Sequence, residues 1–271
     1  MADGAASLEV ALTPAAAELH DPALVITPGS KALIDLTVFI SCYNEEPYIV
    51  GTINTVRAAL AELKHLSYEL ILIDDCSSDR SVQLVEEYIA QNPEERILLR
   101  KNKINQGFAH CCTDAAFIGR GKYFRTLCGD DSEPQDTITR VFSELGQADI
   151  IIPYYAESEG RSAYRMALSK SFTFLVNTIS GHKLHYYNGL AVHLRHNVMR
   201  WHSNTRGFGF QADLLCLLLD RGVGYKEVAV RTVERKGAGS TALNRKNILS
   251  VIHTLMHLML RRVSNFVYRR R

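Results

Sequence analysis

An α/β fold, a mostly parallel sheet flanked by helices, is predicted by three features of this 271-residue chain. Short β-branched or aromatic runs alternate with helical-period segments from Leu36 to Tyr155. Hydrophobic residues make up 46% of the chain, enough for one large domain or two small ones. Each strand-like run also ends in a polar, turn-forming segment, where ligands bind in sheets of this kind.

The elements follow in order. Residues 1–30 are rich in Ala, Pro and small side chains without sustained periodicity, and read as a flexible N-terminal extension. "LTVFIS" (36–41) is the first strand, followed by a helix from about Pro47 to Leu63. "YELILID" (68–74) is the second strand, and "SDRSVQLVEEYIAQ" the next helix, with Ser77 or Ser78 as its N-cap. "RILLR" (96–100), a helix from about Gly107 to Ile118, and "KYFRTL" (122–127) continue the alternation. A helix from about Pro134 to Leu145 and the strand "ADIIIPYY" complete it. The strand ends carry "SCYNEE" (41–46), "DDCSSD" (74–79), "NKINQG" (102–107) and "CGDDSEP" (128–134). Three acidic groups within the four positions 130–133 repel one another, so this last loop needs solvent or a cation.

Composition narrows the chemistry. Residues 1–160 hold 12 Lys/Arg against 25 Asp/Glu, and residues 161–271 hold 19 against 4. An acidic first half and a basic second half suit metal–phosphate on one side and anionic partners on the other. The six cysteines lack Cys-x-x-Cys spacing, which argues for reduced thiols and against zinc. No apolar run reaches the roughly 18–20 residues that span a bilayer, and the N-terminus lacks a secretory pattern. Neither a Gly-x-Gly-x-x-Gly after the first strand nor a Gly-x-x-x-x-Gly-Lys-Ser/Thr occurs, which disfavours dinucleotide-binding dehydrogenases and phosphate-loop enzymes. Carboxylate-rich loops can still take a nucleotide, through ribose hydroxyls, base N–H groups and a diphosphate-bridging divalent ion.

The ordered set "VFISCYNEE", "ELILIDDCSSD", "NQGFAHCCTDAA", "GDDSEP", "AYRMALSKS", "YYNGLAVHLR", "GFGFQADLL" and "ERKGAGSTAL" resembles the inverting glycosyltransferases of family 2 over roughly residues 35–243. The resemblance is strongest to the polyisoprenyl-phosphate sugar transferases. It implies a GT-A (Rossmann-like) fold in a single catalytic domain, 31–243, and a nucleotide-sugar donor. Tyr43, Asn44 and Glu45 would line the nucleoside pocket, closed by Asp74 and Asp75, with Asp75 facing the base. Asn105 and Gly107 would shape the loop beneath the donor. Asp130 matches the second carboxylate of the family's Asp-x-Asp and would ligate Mg2+ or Mn2+. Arg165 and Ser169 match positions that contact the acceptor phosphate, and Asn188 and Gly189 lie at the sugar site. Asp213 matches an acidic residue near the reacting centre, and Arg235, Lys236 and Ser240 would cover the diphosphate.

Three departures stand out. Cys128 occupies the first carboxylate of Asp-x-Asp, and a thiol is a poor ligand for hard Mg2+, so Asp131 or Glu133 could supply the missing oxygen. Ser132 replaces a further metal-binding position of the relatives. An arginine of the relatives falls near Tyr155. The Gln-x-x-Arg-Trp signature of processive synthases is absent, so one sugar is expected per binding event.

Residues 244–271 read as a basic amphipathic helix. Apolar residues recur at helical spacing between Arg245, Lys246, Arg261, Arg262 and Arg269–Arg271. Such a helix either lies at an anionic membrane surface or packs on the catalytic domain. His253 and His257, four apart, read as helix-face residues without a carboxylate partner. The expectation is a metal-dependent transferase peripheral to the cytoplasmic face of a membrane, in cell-envelope biosynthesis, with no nucleic-acid partner. It passes one sugar from the donor to a polyisoprenyl-phosphate. The alternatives are a family 2 enzyme acting on a lipid or glycan hydroxyl, with Asp213 as general base, and a degenerate nucleotide-sugar binding protein.

Overall fold

The run Ile34–Cys42 forms β2, buried along nearly its whole length because neighbouring strands and covering helices enclose it. The computed structural model describes residues 9–14, 34–159, 162–201, 209–233 and 245–268. The chain divides into two compact units, Met1–Asp131 and Ser132–Arg271.

In the first unit β2 runs parallel to β3 (Tyr68–Asp74) and to β5 (Gly121–Cys128), and β3 runs parallel to β4 (Ile97–Lys101). Helices α1 (Ile49–Ala61), α2 (Ser81–Gln91) and α3 (Phe108–Ile118) connect them. Ile49, Ile53, Val56 and Leu60 recur at helical spacing and bury one face of α1. The small residues Cys111, Cys112, Ala115 and Ala116 let α3 pack on β2 and β3. Phe39 ties the layers together, its ring 6.3 Å from Phe108 and 6.4 Å from Phe124. Each such core side chain contributes about 1.5–3 kcal/mol of burial.

Two local expectations change. Within the segment read as an extension, Glu9–Leu12 forms β1, antiparallel to β4, with Thr13 buried beyond it. Four residues gain their order from an available sheet edge rather than from their own pattern. Helix α2 starts at Ser81, and neither Ser77 nor Ser78 caps it. Asp79 does this work instead, its carboxylate accepting from the Ser81 N–H at 3.0 Å and the Ser81 hydroxyl at 2.5 Å.

In the second unit β6 (Ile150–Glu159) pairs in parallel with β8 (Tyr225–Val233) and antiparallel with the short β7 (Val192–Leu194). The β6–β8 register shifts between Tyr155 and Glu157. Helices α4 (Gln135–Phe142), α5 (Ala163–Ser180), α6 (Arg195–Met199), α7 (Phe210–Asp220) and α8 (Arg245–Val267) complete the unit. Helix α8 packs against α5 and α7, with Thr254 and Leu258 buried. Among the described residues no helix is long and apolar enough to cross a membrane.

Candidate active site

Parallel strands β2, β3, β4 and β5 deliver their four loops to one edge of the first unit's sheet. The loops after β2 and β3 are interlocked. Backbone N–H groups of Asn44, Glu45 and Glu46 donate to Ser77 Oγ (2.9 Å), Ser81 Oγ (2.8 Å) and Asp79 Oδ2 (3.0 Å). In return, the N–H groups of Ser78 and Arg80 donate to Asn44 Oδ1 (2.8 Å) and Glu46 Oε2 (3.1 Å). Ser77 and Ser78 thus hold the neighbouring loop rather than a helix end. Tyr43 stands exposed at the rim.

Among the described residues, the non-glycine residues with left-handed φ are Asn44 (56°), Cys76 (68°) and Asp131 (50°). All three lie in these strand-end loops. Strain of this kind costs on the order of 1–3 kcal/mol per residue and gathers at functional sites.

Asp75, expected to face the base, also holds the 102–107 loop. It is buried, and its carboxylate accepts from Asn102 Nδ2 (2.9 Å), Gln106 N–H (2.8 Å) and Gly107 N–H (2.8 Å). Asn105 Nδ2 donates to the Asp75 carbonyl at 3.2 Å. Gly107 has φ of 89°, a conformation side chains resist, and this brings its N–H to Asp75. Asp75 therefore builds the 102–107 loop. Asp74 is also buried; its Oδ2 accepts from the Ser77 N–H at 3.1 Å, while Oδ1 has no hydrogen-bond partner among the described residues. The neighbouring Cys42 thiol is pushed up to about 12 by burial and by the Asp74 charge, so it stays protonated.

After β5, the two expected metal ligands part company. Asp131 turns onto α1: its Oδ1 accepts from the Thr55 hydroxyl and its N–H donates to Thr52 Oγ1, each at 2.9 Å. Asp130 is half-buried in the turn, and Cys128 is exposed at the strand end. Among the described residues no three His, Cys, Asp or Glu side chains form a metal cage.

In the second unit Arg165 and Ser169 lie one turn apart on α5, less exposed than their neighbours, and Ser162 Oγ caps that helix by accepting from the Arg165 N–H (3.3 Å). Gly189 is required where it stands, because a Cβ there would lie 2.3 Å from the Pro153 carbonyl oxygen. Asn188 beside it is exposed. Tyr155 packs its ring 5.0 Å from Tyr186.

Asp213 is only 2% exposed, and its carboxylate is fully engaged. Trp201 Nε1 donates to Oδ2 at 3.0 Å, and Oδ1 meets His257 Nδ1 at 3.1 Å and Arg261 Nη1 at 3.0 Å. His257 thus has the carboxylate partner that its sequence neighbourhood lacks. Trp201, His257 and Arg261 were not among the expected site residues. The legible signal was the stripe Thr254, His257, Leu258, Arg261, at helical spacing in a segment without a single carboxylate. Arg235, Lys236 and Ser240 lie outside the described residues.

Comparison with known proteins places this architecture. The model of "Glycosyl transferase family 2" matches residues 37–200. Dolichol-phosphate mannosyltransferase of Saccharomyces cerevisiae is 25% identical over 235 residues, covering 83% of this chain and 87% of that protein. Dodecaprenyl-phosphate galacturonate synthase of Rhizobium johnstonii is 28% identical over 159 residues, 57% of this chain and 46% of that protein. The matched region spans less than half of that relative, and 42% of an undecaprenyl-phosphate 4-deoxy-4-formamido-L-arabinose transferase of Pseudomonas fluorescens. Glucosyl-3-phosphoglycerate synthase of Mycobacterium tuberculosis, solved with Mn2+, UDP and glucosyl-3-phosphoglycerate, shares the fold. Its TM-score is 0.62 at 17% identity, over 87% of this chain and 86% of that one.

Proposed function

This chain belongs to glycosyl transferase family 2, and from that membership we propose that it moves one sugar from a nucleotide donor to a polyisoprenyl-phosphate, inverting the anomeric centre. The observation that carries the choice of acceptor is the state of Asp213. A hydroxyl acceptor needs a general base within reach. Asp213, the residue expected to serve, is buried and engaged by Trp201, His257 and Arg261. A phosphate acceptor is already anionic and needs only alignment.

In this reading Tyr43, Asn44, Glu45 and Asp74 receive the nucleoside, held by the interlocked loops. Asp75, Asn105 and Gly107 keep the floor of the pocket in shape. Arg165 and Ser169 orient the acceptor phosphate, and Asn188 and Gly189 bound the sugar. One acceptor oxygen bonds to the anomeric carbon as the bond to the diphosphate breaks, and the departing diphosphate takes the electron pair. Arg235, Lys236 and Ser240 supply positive charge and a hydroxyl to that leaving group.

The donor set suits a hard divalent cation held by one carboxylate with diphosphate and water, as Mg2+ commonly is. Asp130 would hold it, with Asp131 committed to α1; when bound, Mg2+ or Mn2+ neutralises charge on the leaving diphosphate. Mn2+ and Mg2+ complexes of fold neighbours with UDP support that assignment. We place the enzyme at the cytoplasmic face of a membrane, with α8 against the lipid. Purified protein supplied with radiolabelled nucleotide sugars and polyisoprenyl-phosphate should release label into organic solvent. Transfer only to glycan or lipid hydroxyls would refute the acceptor, and no transfer from any donor would leave a binding protein.

A further inference from the structure

We propose that the C-terminal half of α8 carries a built site for the anionic phosphodiester of a phospholipid headgroup. The proposal rests on the membrane reading above and adds to it a defined pocket.

Helix α8 has two apolar sides. Thr254 and Leu258 face α5 and α7. On the opposite side Leu249, Ile252, Met256, Met259, Leu260, Val263 and Val267 are all exposed, by 47–66%. A solvent-facing side of a helix ordinarily carries charge, and from Leu249 to Val267 this one does not. No carboxylate occurs anywhere from Asn244 to Arg271. An apolar side, flanked by cations and lacking acids, complements an anionic bilayer surface.

Between the packed side of α8 and the ends of α5 and α7 lies a cavity of about 220 Å³ lined by Ser180, Asp220, Leu258, Arg261, Arg262, Asn265 and Phe266, the last at the edge of the apolar side. Its one carboxylate is already satisfied. Asp220 meets Arg261 Nε at 3.2 Å, His182 Nε2 at 2.8 Å and Asn265 Nδ2 at 3.2 Å. Arg261 is shared between Asp213 and Asp220. Arg262 is different. Its Nη1 donates to the carbonyls of Thr178 (3.1 Å) and Ile179 (2.8 Å) at the end of α5, and the guanidinium lies against Gly181. That anchoring fixes the plane, while Nε and Nη2 make no hydrogen bond among the described residues. A pre-oriented guanidinium edge with open donors matches a phosphodiester oxygen pair. Phe266, exposed at the cavity wall, provides an apolar surface for the first carbons of the acyl chains.

The test uses the full chain, co-sedimented with vesicles of phosphatidylcholine alone or mixed with phosphatidylglycerol, comparing the parent with Arg262→Gln and Arg262→Lys. Lysine keeps the charge and can still reach the α5 carbonyls, so it controls for folding, checked by circular dichroism. The parent should prefer the anionic vesicles, and Arg262→Gln should weaken that binding about tenfold, as loss of a charge-assisted contact does. Arg262→Lys should lose nearly as much, because a point charge cannot replace the fork. Full rescue by lysine would reduce the effect to diffuse attraction and overturn the site while leaving the membrane reading intact. A parent that binds neither vesicle overturns both. Dihexanoyl-phosphatidylglycerol should displace the parent from vesicles more strongly than inorganic phosphate at equal ionic strength; equal displacement would make this a free-anion pocket and refute the lipid. If Arg262→Gln slows transfer to a short soluble acceptor as much as to a long one, Arg262 serves the acceptor and the proposal fails.

Discussion

Replacing Asp213 with Asn should unfold the protein more readily before it changes any proton transfer. The substitution keeps shape and removes a charge that sits 3.0 Å from Arg261 and 3.1 Å from His257, in a residue 2% exposed. Breaking a buried ion pair from one side costs about 3–5 kcal/mol. Asp220 still lies 3.2 Å from Arg261 Nε and shares the orphaned charge, so the lower end, about 3 kcal/mol, applies. For a protein of this size that lowers Tm by roughly 6–12 °C. Thermal melts followed by circular dichroism measure the shift. The emission of Trp201, the chain's one tryptophan, reports the same site because its N–H donates to Asp213. Below the new Tm, transfer should persist with an unchanged pH profile. A variant with the parent's Tm and a collapsed rate would make Asp213 a working base and refute this account of the network.

Asp130→Asn should reduce transfer by orders of magnitude and abolish Mn2+ binding with nucleoside diphosphate present, by titration. Asp131→Asn should instead cost on the order of 1 kcal/mol of stability, since its carboxylate bonds Thr55 on α1, and leave metal binding near the parent's. Burial pushes the His193 imidazole down to about 3, from an ordinary value of 6.5, so the folded state holds it neutral. The unfolded chain takes up the proton first. Stability should therefore fall with pH below about 6.5, by about 1.4 kcal/mol per unit until about pH 3. Between pH 7 and 5 the parent should lose about 2 kcal/mol more than His193→Gln, by urea denaturation. Ile252→Gln with Met256→Gln on the outer side of α8 should release the protein from anionic vesicles and leave Tm within about 2 °C, because neither side chain is buried.

The strands were legible because "LTVFIS" and "YELILID" are apolar runs bounded by turn residues, a signal carried within each segment. The loop chemistry was legible for the same reason: Asn, Ser, Asp and Glu crowd four short stretches. What stayed hidden depends on partners far along the chain. Glu9–Leu12 is ordered by an edge of β4 some ninety residues away. That Asp75 holds the 102–107 loop shows only once that loop, some thirty residues on, is seen folded onto it. Asp213 and the α8 residues that engage it are 44 and 48 positions apart, beyond any helical or strand period. Of the two roles expected for α8, packing on the catalytic region accounts for the side that carries Thr254 and Leu258, while the opposite apolar side is exposed.

The reciprocal bonds between the loops at Asn44–Glu46 and Ser77–Ser81 make the two segments a single mechanical part. Each supplies the acceptors for the other's backbone, so neither retains its shape alone. Paired substitutions across this seam should therefore be strongly non-additive. A chimaera that imports one loop from a relative should bind nucleotide worse than either parent, and importing both together should restore it. The seam also spares the donor the entropic cost of ordering its own receptor. The unit of inheritance at this edge is the pair of loops, not the motif.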